Sequence, residues 1–298
     1  MSLTSAIVAT GFFANPAVHT ALIIGGVVAI VSAIIGTFTV MRGQSFAGHS
    51  LSDIGTAGGS AAFLISVPSL YGFVAFNLAA AGIMDLIGIR RPRGRDLATG
   101  IVLGASLGLA ALFLYEDTTT SSTTGATVNV LFGSIFTLPS SLIPVVTIFS
   151  VVTVGLVAVL YRPLLLSSVS AELAAARGIP VRLVAVGYLL ALAIGVSLSS
   201  ITIGAILSTA LLIGPAAAAL RLAKRPGTAI ALAAAIGLVA VWLGILLAYD
   251  SASWTSNGEG FPVSFFIVAV VFAFYLMAQL IGRLRPDSRR SIQAVAGA

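Results

Sequence analysis

The chain has 298 residues, 58% of them hydrophobic and 8% charged, with a mean hydropathy of +1.12. Soluble domains carry about 25% charged residues; a water-soluble fold would leave large apolar patches exposed, so lipid is the solvent that suits this chain. The net charge of +6 would point to nucleic acid only if the basic residues clustered on a soluble face. They sit instead in short loops between apolar runs, which argues against a nucleic-acid partner, and the absence of cysteine excludes disulfides, thiolate metal sites and thiol catalysis.

The N-terminal stretch MSLTSAIVATGFFANP has no basic n-region and only a short apolar part, so it does not read as a cleaved signal peptide, and the first span serves as its own insertion signal. A spanning helix needs roughly 20 predominantly apolar residues. Such runs lie near 20–41, 45–66, 68–89, 97–115, 140–161, 181–199, 201–221, 228–248 and 263–282. They predict an all-α, polytopic membrane protein with about nine transmembrane helices in a single transmembrane domain, 1–298. The runs are continuously apolar rather than alternating, which favours helices over a barrel, and a helix satisfies all of its own backbone groups. Glycine and alanine recur inside them, as in TAGGSAAF and IGPAAAAL, which permits close helix packing in lipid.

Four segments are not simple spans. EDTTTSSTTGAT (116–127) reads as a polar loop, and VNVLFGSIFTL (128–138) is too short to cross and predicts a re-entrant or partly buried helix closed by Pro139. In SSVSAELAAARGIP (167–180), Ser170 is an N-cap, alanine-rich helix follows, Gly178 takes the left-handed position and Pro180 prevents continuation. On spacing alone this short helix either joins two spans or docks on a partner. YDSASWTSNGEGFP (249–262) reads as a flexible polar connection.

Lys and Arg set the orientation. Arg42, the Arg90–Arg95 cluster, Arg162, Arg177, Arg182, Arg221, Lys224, Arg225 and the four arginines from Arg283 to Arg290 all fall on one side when nine spans are threaded alternately, with Glu116, Asp117, Asp250 and Glu259 opposite. The reading is a multi-pass protein of the cell membrane, N-terminus outside and C-terminus cytoplasmic.

Ionisable residues inside a bilayer are costly and few. Asp85 and Asp96 flank the RRPRGR run and read as salt-bridge partners of its arginines; Asn77 reads as an interhelical hydrogen bond, and His19 as an interfacial residue. His49 and Asp53, in GHSLSDIGTAGG, stand four residues apart and share one helical face. Imidazole plus carboxylate suits a divalent cation such as Zn²⁺, Mn²⁺ or Fe²⁺, with Ser50 and Ser52 adding hydroxyls nearby. The alternative is that Asp53 accepts a hydrogen bond from His49 and the pair locks the helix. Two ligands do not complete a site, so others come from facing helices, a symmetry partner or water.

VMRGQSFAGHSLSDIGTAGGSAAFL resembles the signature region of the ABC-3 family, the permease subunits of bacterial ATP-binding-cassette importers for zinc, manganese and iron. DLATGIVLGASLGLA (96–110), NVLFGSIFTL (129–138), ELAAARGIPVRL (172–183) and VSLSSITIGAILSTALLIGPAAAALRLA (196–223) resemble its later regions in the same order. In the family pattern Asp comes first and His four residues later; here His49 precedes Asp53. The resemblance implies an ABC-3 type permease bundle, a transient metal site at His49 and Asp53 with no permanently bound cofactor, and a pair of permeases around one pathway. It also implies a coupling helix near 170–178, with Glu172, Arg177 and Gly178, that docks on a separate ATPase, and an extracytoplasmic protein that delivers the ion. The chain itself is no enzyme in this reading, since it has no GxxxxGK[ST] phosphate loop. Two other functions stay open: a permease for a larger chelate such as a siderophore, and an ion-coupled secondary carrier. The carrier class shows several intramembrane carboxylates, where only Asp53 lies plainly inside a span. HExxH and any acid–base–nucleophile set are missing from the sequence.

Overall fold

The computed structural model describes residues 11–88, 92–120, 124–133, 135–254 and 260–284. Among these residues the secondary structure is helical, with no strand. A long helix falls at each of the nine expected runs: α1 (Pro16–Met41), α2 (Ser45–Leu64), α3 (Ser69–Gly88), α4 (Pro92–Thr120), α6 (Leu142–Val169), α8 (Val181–Ile203), α9 (Ala205–Leu222), α10 (Pro226–Ser251) and α11 (Val263–Leu284). Two shorter helices, α5 (Thr124–Phe132) and α7 (Ala171–Ala176), lie between them.

Seven of the nine are long and apolar enough to cross a bilayer unaided; α2 and α3 are not among them. In α3 only Ser69–Asp85 forms a shorter apolar helix, and α2 is diluted by serine, threonine and glycine. Both are sheltered by neighbours, since α2 packs on α3, α4, α8 and α9. Two of its buried hydroxyls are satisfied within the helix: Ser50 donates to the Phe46 carbonyl at 2.9 Å and Ser60 to the Thr56 carbonyl at 2.7 Å. Hydroxyl groups bonded back in this way present little unpaired polarity to a low-dielectric surrounding.

Helix α1 is the central post. Asn15 caps it by accepting from the Ala17 amide at 2.9 Å, and Pro16 opens it, an arrangement that wastes no donor. It is buried along most of its length against α6, α8, α9 and α10. Packing in lipid relies on close approach rather than on the hydrophobic effect, and here it reaches backbone contact. A Cβ on Gly58 of α2 would fall 2.1 Å from the Gly72 carbonyl oxygen of α3. Polar side chains add interhelical ties, each worth about 0.6 kcal/mol in such bundles. Asn77 of α3 donates to Ser197 of α8 at 2.9 Å, and Tyr188 of α8 joins Thr39 of α1 at 2.6 Å.

The segment 128–138 forms the end of α5 and a 3-10 turn (Ile135–Thr137) rather than a span, with Val130 and Ile135 buried. The α8–α9 elbow is pressed against it. Gly133 (φ 75°) and Gly204 (φ 85°) face each other, and a Cβ on Gly204 would lie 2.2 Å from the Leu131 carbonyl oxygen. Only glycine supplies both the left-handed backbone and the missing side chain.

Several helices outrun their apolar cores. Helix α4 begins at Pro92 and continues to Thr120, into the stretch expected to be a loop. There Thr118 and Thr119 bond back to the Leu114 and Tyr115 carbonyls at 3.0 and 2.9 Å. Helix α6 passes through Pro163 to Val169, eight residues beyond the hydropathy boundary, because Leu164, Leu165 and Leu166 continue its apolar character. In the 249–262 connection α10 extends to Ser251, whose Oγ accepts from the Phe261 amide at 2.8 Å, and Asp250 accepts from Trp254 at 3.1 Å. Glu259 lies outside the described residues, as do Arg90, Arg91 and the arginines from Arg285 onward.

Candidate functional site

Between Gly48 and Ser60 every residue of α2 is buried except His49 and Asp53. Phe46, one turn earlier, is exposed as well, so positions 46, 49 and 53 form a single accessible strip along α2. The i, i+4 spacing places both site residues on it. His49 Nε2 stands 3.5 Å from Asp53 Oδ2, with the imidazole about half exposed (49%) and the carboxylate less so (20%). On the far side of the ring, His49 Nδ1 is 3.1 Å from Thr209 Oγ1 of α9.

Burial separates this pair from the neighbouring hydroxyls. Ser50 is turned inward to the Phe46 carbonyl, and Ser52 is buried against α9, where it donates to the Ala205 carbonyl and contacts Ser208 Oγ. Ser52 therefore ties α2 to α9, and neither serine is on the open strip. The helix itself starts deep: a Cβ on Gly48 would meet Leu212 at 3.0 Å and Leu192 at 3.9 Å, residues near the middles of α9 and α8. His49 and Asp53 are thus set at mid-bundle level beside the α8–α9 elbow, which is itself braced by α5.

Two atoms 3.5 Å apart can share a first-row divalent ion, because bonds of about 2.1 Å span up to about 4.2 Å between donors. A hydrogen-bonded His–Asp lock also fits the pair, so geometry alone leaves both chemistries available. No group of three or more His, Cys, Asp or Glu side chains that could hold a metal ion is present among the described residues. The accessible strip continues onto α9 through Ile206, Thr209, Ile213 and Ala217, none of which is buried.

The other candidates are placed apart. His19 lies in the first turn of α1, bonded to the Phe13 carbonyl. Asn77 is fully buried in the α3–α8 tie. Asp85 pairs at 3.4 Å with Arg182 of α8, an arginine beyond the RRPRGR run that the antiparallel α3–α8 contact brings alongside. The side chains of Arg93, Arg95 and Asp96 lie outside the described residues. Thr209 escaped the sequence reading, since nothing in IGAILSTALL marks one hydroxyl as facing a residue 160 positions away.

The helix expected near 170–178 is α7. Ser170 Oγ accepts from the Leu173 amide at 3.2 Å, and the far end closes with Gly178 at φ 77°. There the Gly178 amide reaches the Ala175 carbonyl at 2.9 Å and the Ile179 amide reaches Ala174 at 3.0 Å, the paired C-terminal closure that a left-handed glycine permits. Glu172, Leu173, Arg177 and Gly178 are exposed, and Ala174 is the only buried residue of α7. Just before it, Ser167 accepts from Arg42, the C-cap of α1, at 2.8 Å, and the Arg42 guanidinium stacks 5.4 Å over the Tyr188 ring. The foot of α7 is therefore tied to the turn that launches α2.

The model of the ABC 3 transport family matches residues 14–282. Over 231 residues the chain is 31% identical to the manganese transport system membrane protein MntC of Listeria monocytogenes, covering 77% of this chain and 80% of that protein. Over 261 residues it is 29% identical to the manganese import system permease protein ScaB of Streptococcus gordonii, covering 86% and 91%. Among solved structures it is similar to PsaBC from Streptococcus pneumoniae in complex with Fab, with a TM-score of 0.77 at 25% identity over 93% of this chain and 95% of that one. The bundle of nine long helices, the short exposed α7 and the sequence match from one end of the bundle to the other lead to one conclusion: this chain belongs to the ABC 3 transport family.

Proposed function

We propose that this chain is the membrane-spanning permease subunit of an ATP-driven importer of divalent transition-metal ions, with Mn²⁺ as the first candidate and Zn²⁺ and Fe²⁺ as alternatives. The relatives named for manganese support the ion class. The observation that carries the pathway role is the strip on α2, where His49 and Asp53 alone stay accessible within an otherwise buried stretch. Imidazole and carboxylate together suit borderline first-row ions, and in-cell selectivity among them is set by geometry and availability rather than affinity order. The ion is cargo, so its site has to be weak enough to release it.

One His and one Asp do not fill a coordination sphere. A second copy of the chain facing this strip would supply another His49/Asp53 pair, and two-fold pairs are the commonest closed assembly. The exposed, capped α7 is the docking element for a separate ATPase, with Glu172 and Arg177 as polar contacts and Gly178 shaping its end. Its tie through Ser167 and Arg42 to the start of α2 gives ATPase movement a short route to the ion site. An extracytoplasmic metal-binding protein delivers the ion on the opposite face, with the N-terminus of this chain on that side and the C-terminus in the cytoplasm.

The test is uptake of radioactive Mn²⁺ into proteoliposomes holding the permease, its ATPase and its binding protein. His49→Ala combined with Asp53→Ala is expected to abolish ATP-dependent uptake while assembly and basal ATP hydrolysis persist. Wild-type uptake by the double variant at equal protein would refute the pathway role. Competition by free Mn²⁺, Zn²⁺ and Fe²⁺ separates a bare-ion importer from a chelate permease, which free ions would not inhibit.

A further inference from the structure

Helices α2 and α9 are fastened at two consecutive α9 positions, Ser208 to Ser52 and Thr209 to His49. The two fastenings differ in chemistry. Ser52 and Ser208 are buried, with the Ala205 carbonyl completing their bonds. Thr209 and His49 lie on the accessible strip with Asp53. At His49 both ring nitrogens face a partner, Thr209 Oγ1 at 3.1 Å from Nδ1 and Asp53 Oδ2 at 3.5 Å from Nε2.

A neutral imidazole carries one proton, so the bond made at one nitrogen decides what the other can do. With the proton on Nδ1, donated to Thr209 Oγ1, Nε2 turns a lone pair toward Asp53 and is ready to bind a cation. With the proton on Nε2, directed at Asp53, Nδ1 accepts from the Thr209 hydroxyl and the pair is closed to a cation. A hydroxyl both donates and accepts, so it serves the two states equally. A carbonyl or carboxylate at that position would only accept, and would hold His49 permanently in the strongly ligating tautomer.

We propose that Thr209 is a positioning residue of the ion pathway: its hydroxyl holds His49 by Nδ1 and lets the ring exchange between a closed pair with Asp53 and a metal-ready tautomer. This rests on the assignment of His49 and Asp53 as pathway ligands. It also accounts for why the two chemistries of the pair, lock and ligand, are both compatible with its geometry: they are two states of one device. Entry of the ion displaces the His49–Asp53 contact without moving α2, because Ser52 and Ser208 keep the helix fixed.

Thr209→Val removes the hydroxyl at nearly constant shape, and Thr209→Ser keeps it. The chain has two histidines, so ring-¹⁵N-labelled full-length protein in lipid, with His19→Gln to leave His49 as the only reporter, reads the tautomer directly. In metal-free samples Thr209→Val is expected to shift the His49 ring signals to the Nε2-protonated form with an unbonded Nδ1, and Thr209→Ser to restore the wild-type pattern. In the assembled importer, Thr209→Val is expected to raise the KM for delivered Mn²⁺ about tenfold or more, the lower end of what loss of an outer hydrogen-bond partner costs a metal site. The maximal ATPase rate should stay within about twofold of wild type, and Thr209→Ser should recover the KM. Unchanged ring signals in Thr209→Val, or changed signals with unchanged KM, or failure of Thr209→Ser to restore both, each overturns the proposal. Failure of the underlying pathway assignment is seen separately: uptake then survives His49→Ala with Asp53→Ala, while the ring signals still report whether Thr209 holds the imidazole.

Discussion

Gly58→Ala tests how tightly the α2–α3 pair is built. The added Cβ would lie 2.1 Å from the Gly72 carbonyl oxygen and 2.7 Å from Phe76 Cβ, and the reciprocal Cβ on Gly72 would lie 2.0 Å from the Gly58 carbonyl oxygen. Ordinary contact begins at 3.4 Å, so the two helices would have to part by about 1.3 Å at this crossing. No flexible chain end is available to give way, since the obstacles are a backbone and a Cβ. Overpacking of this kind costs about 1–3 kcal/mol, and the rigid surroundings place this site in the upper half of that range. Gly104 of α4 is the matched control, with nothing within 4 Å of an added Cβ. There the same substitution removes only backbone freedom from the unfolded chain and should be neutral or stabilising by about 0.5–1 kcal/mol. Heating the purified chain in one detergent and counting the monomer that survives gives the midpoints. The Gly58→Ala midpoint should fall and the Gly104→Ala midpoint hold or rise. A Gly58→Ala midpoint equal to wild type would refute the close-approach account of the pair.

Two further substitutions probe other ties. Tyr188→Phe deletes a buried hydroxyl bonded to Thr39 Oγ1 at 2.6 Å and the Ile35 carbonyl at 3.1 Å, but Thr39 keeps its own bond to Ile35 at 2.9 Å. With that fallback the loss should be about 1 kcal/mol, read in the same heating assay; a collapse of the fold would show that the tie carries more than these bonds. Gly178→Ala forces a Cβ onto a left-handed backbone at φ 77°, at a cost of about 1–2 kcal/mol. Because α7 is exposed, the heating midpoint should barely move, whereas metal imported per ATP hydrolysed should drop; unchanged coupling would remove α7 from the ATPase interface.

Much of the bundle was legible in local sequence. Transfer to lipid and backbone hydrogen bonding both act over one helix at a time, so the apolar runs located all nine long helices. The caps of α7 were equally local: Ser170 reaches only to Leu173, and Gly178 only to Ala175. The shared face of His49 and Asp53 followed from the 3.6-residue turn alone. Helix ends were harder, because Thr118 and Thr119 prolong α4 by bonding to its own carbonyls and α6 runs on through Pro163.

What tertiary structure alone decided is which faces meet. Asp85 gains Arg182 as an ion-pair partner only because α8 packs alongside α3. Packing against α9 buried Ser52 and left the His49 imidazole accessible, a division with no local mark in GHSLSD. Those outcomes depend on where α2, α3 and α9 approach closely, which is set by glycine contacts such as Gly58 with Gly72 and Gly133 with Gly204 across separate segments. A hydroxyl in α9 has no local signature of the ring it will face, and so the contact between Thr209 and His49 exists only once the bundle has closed.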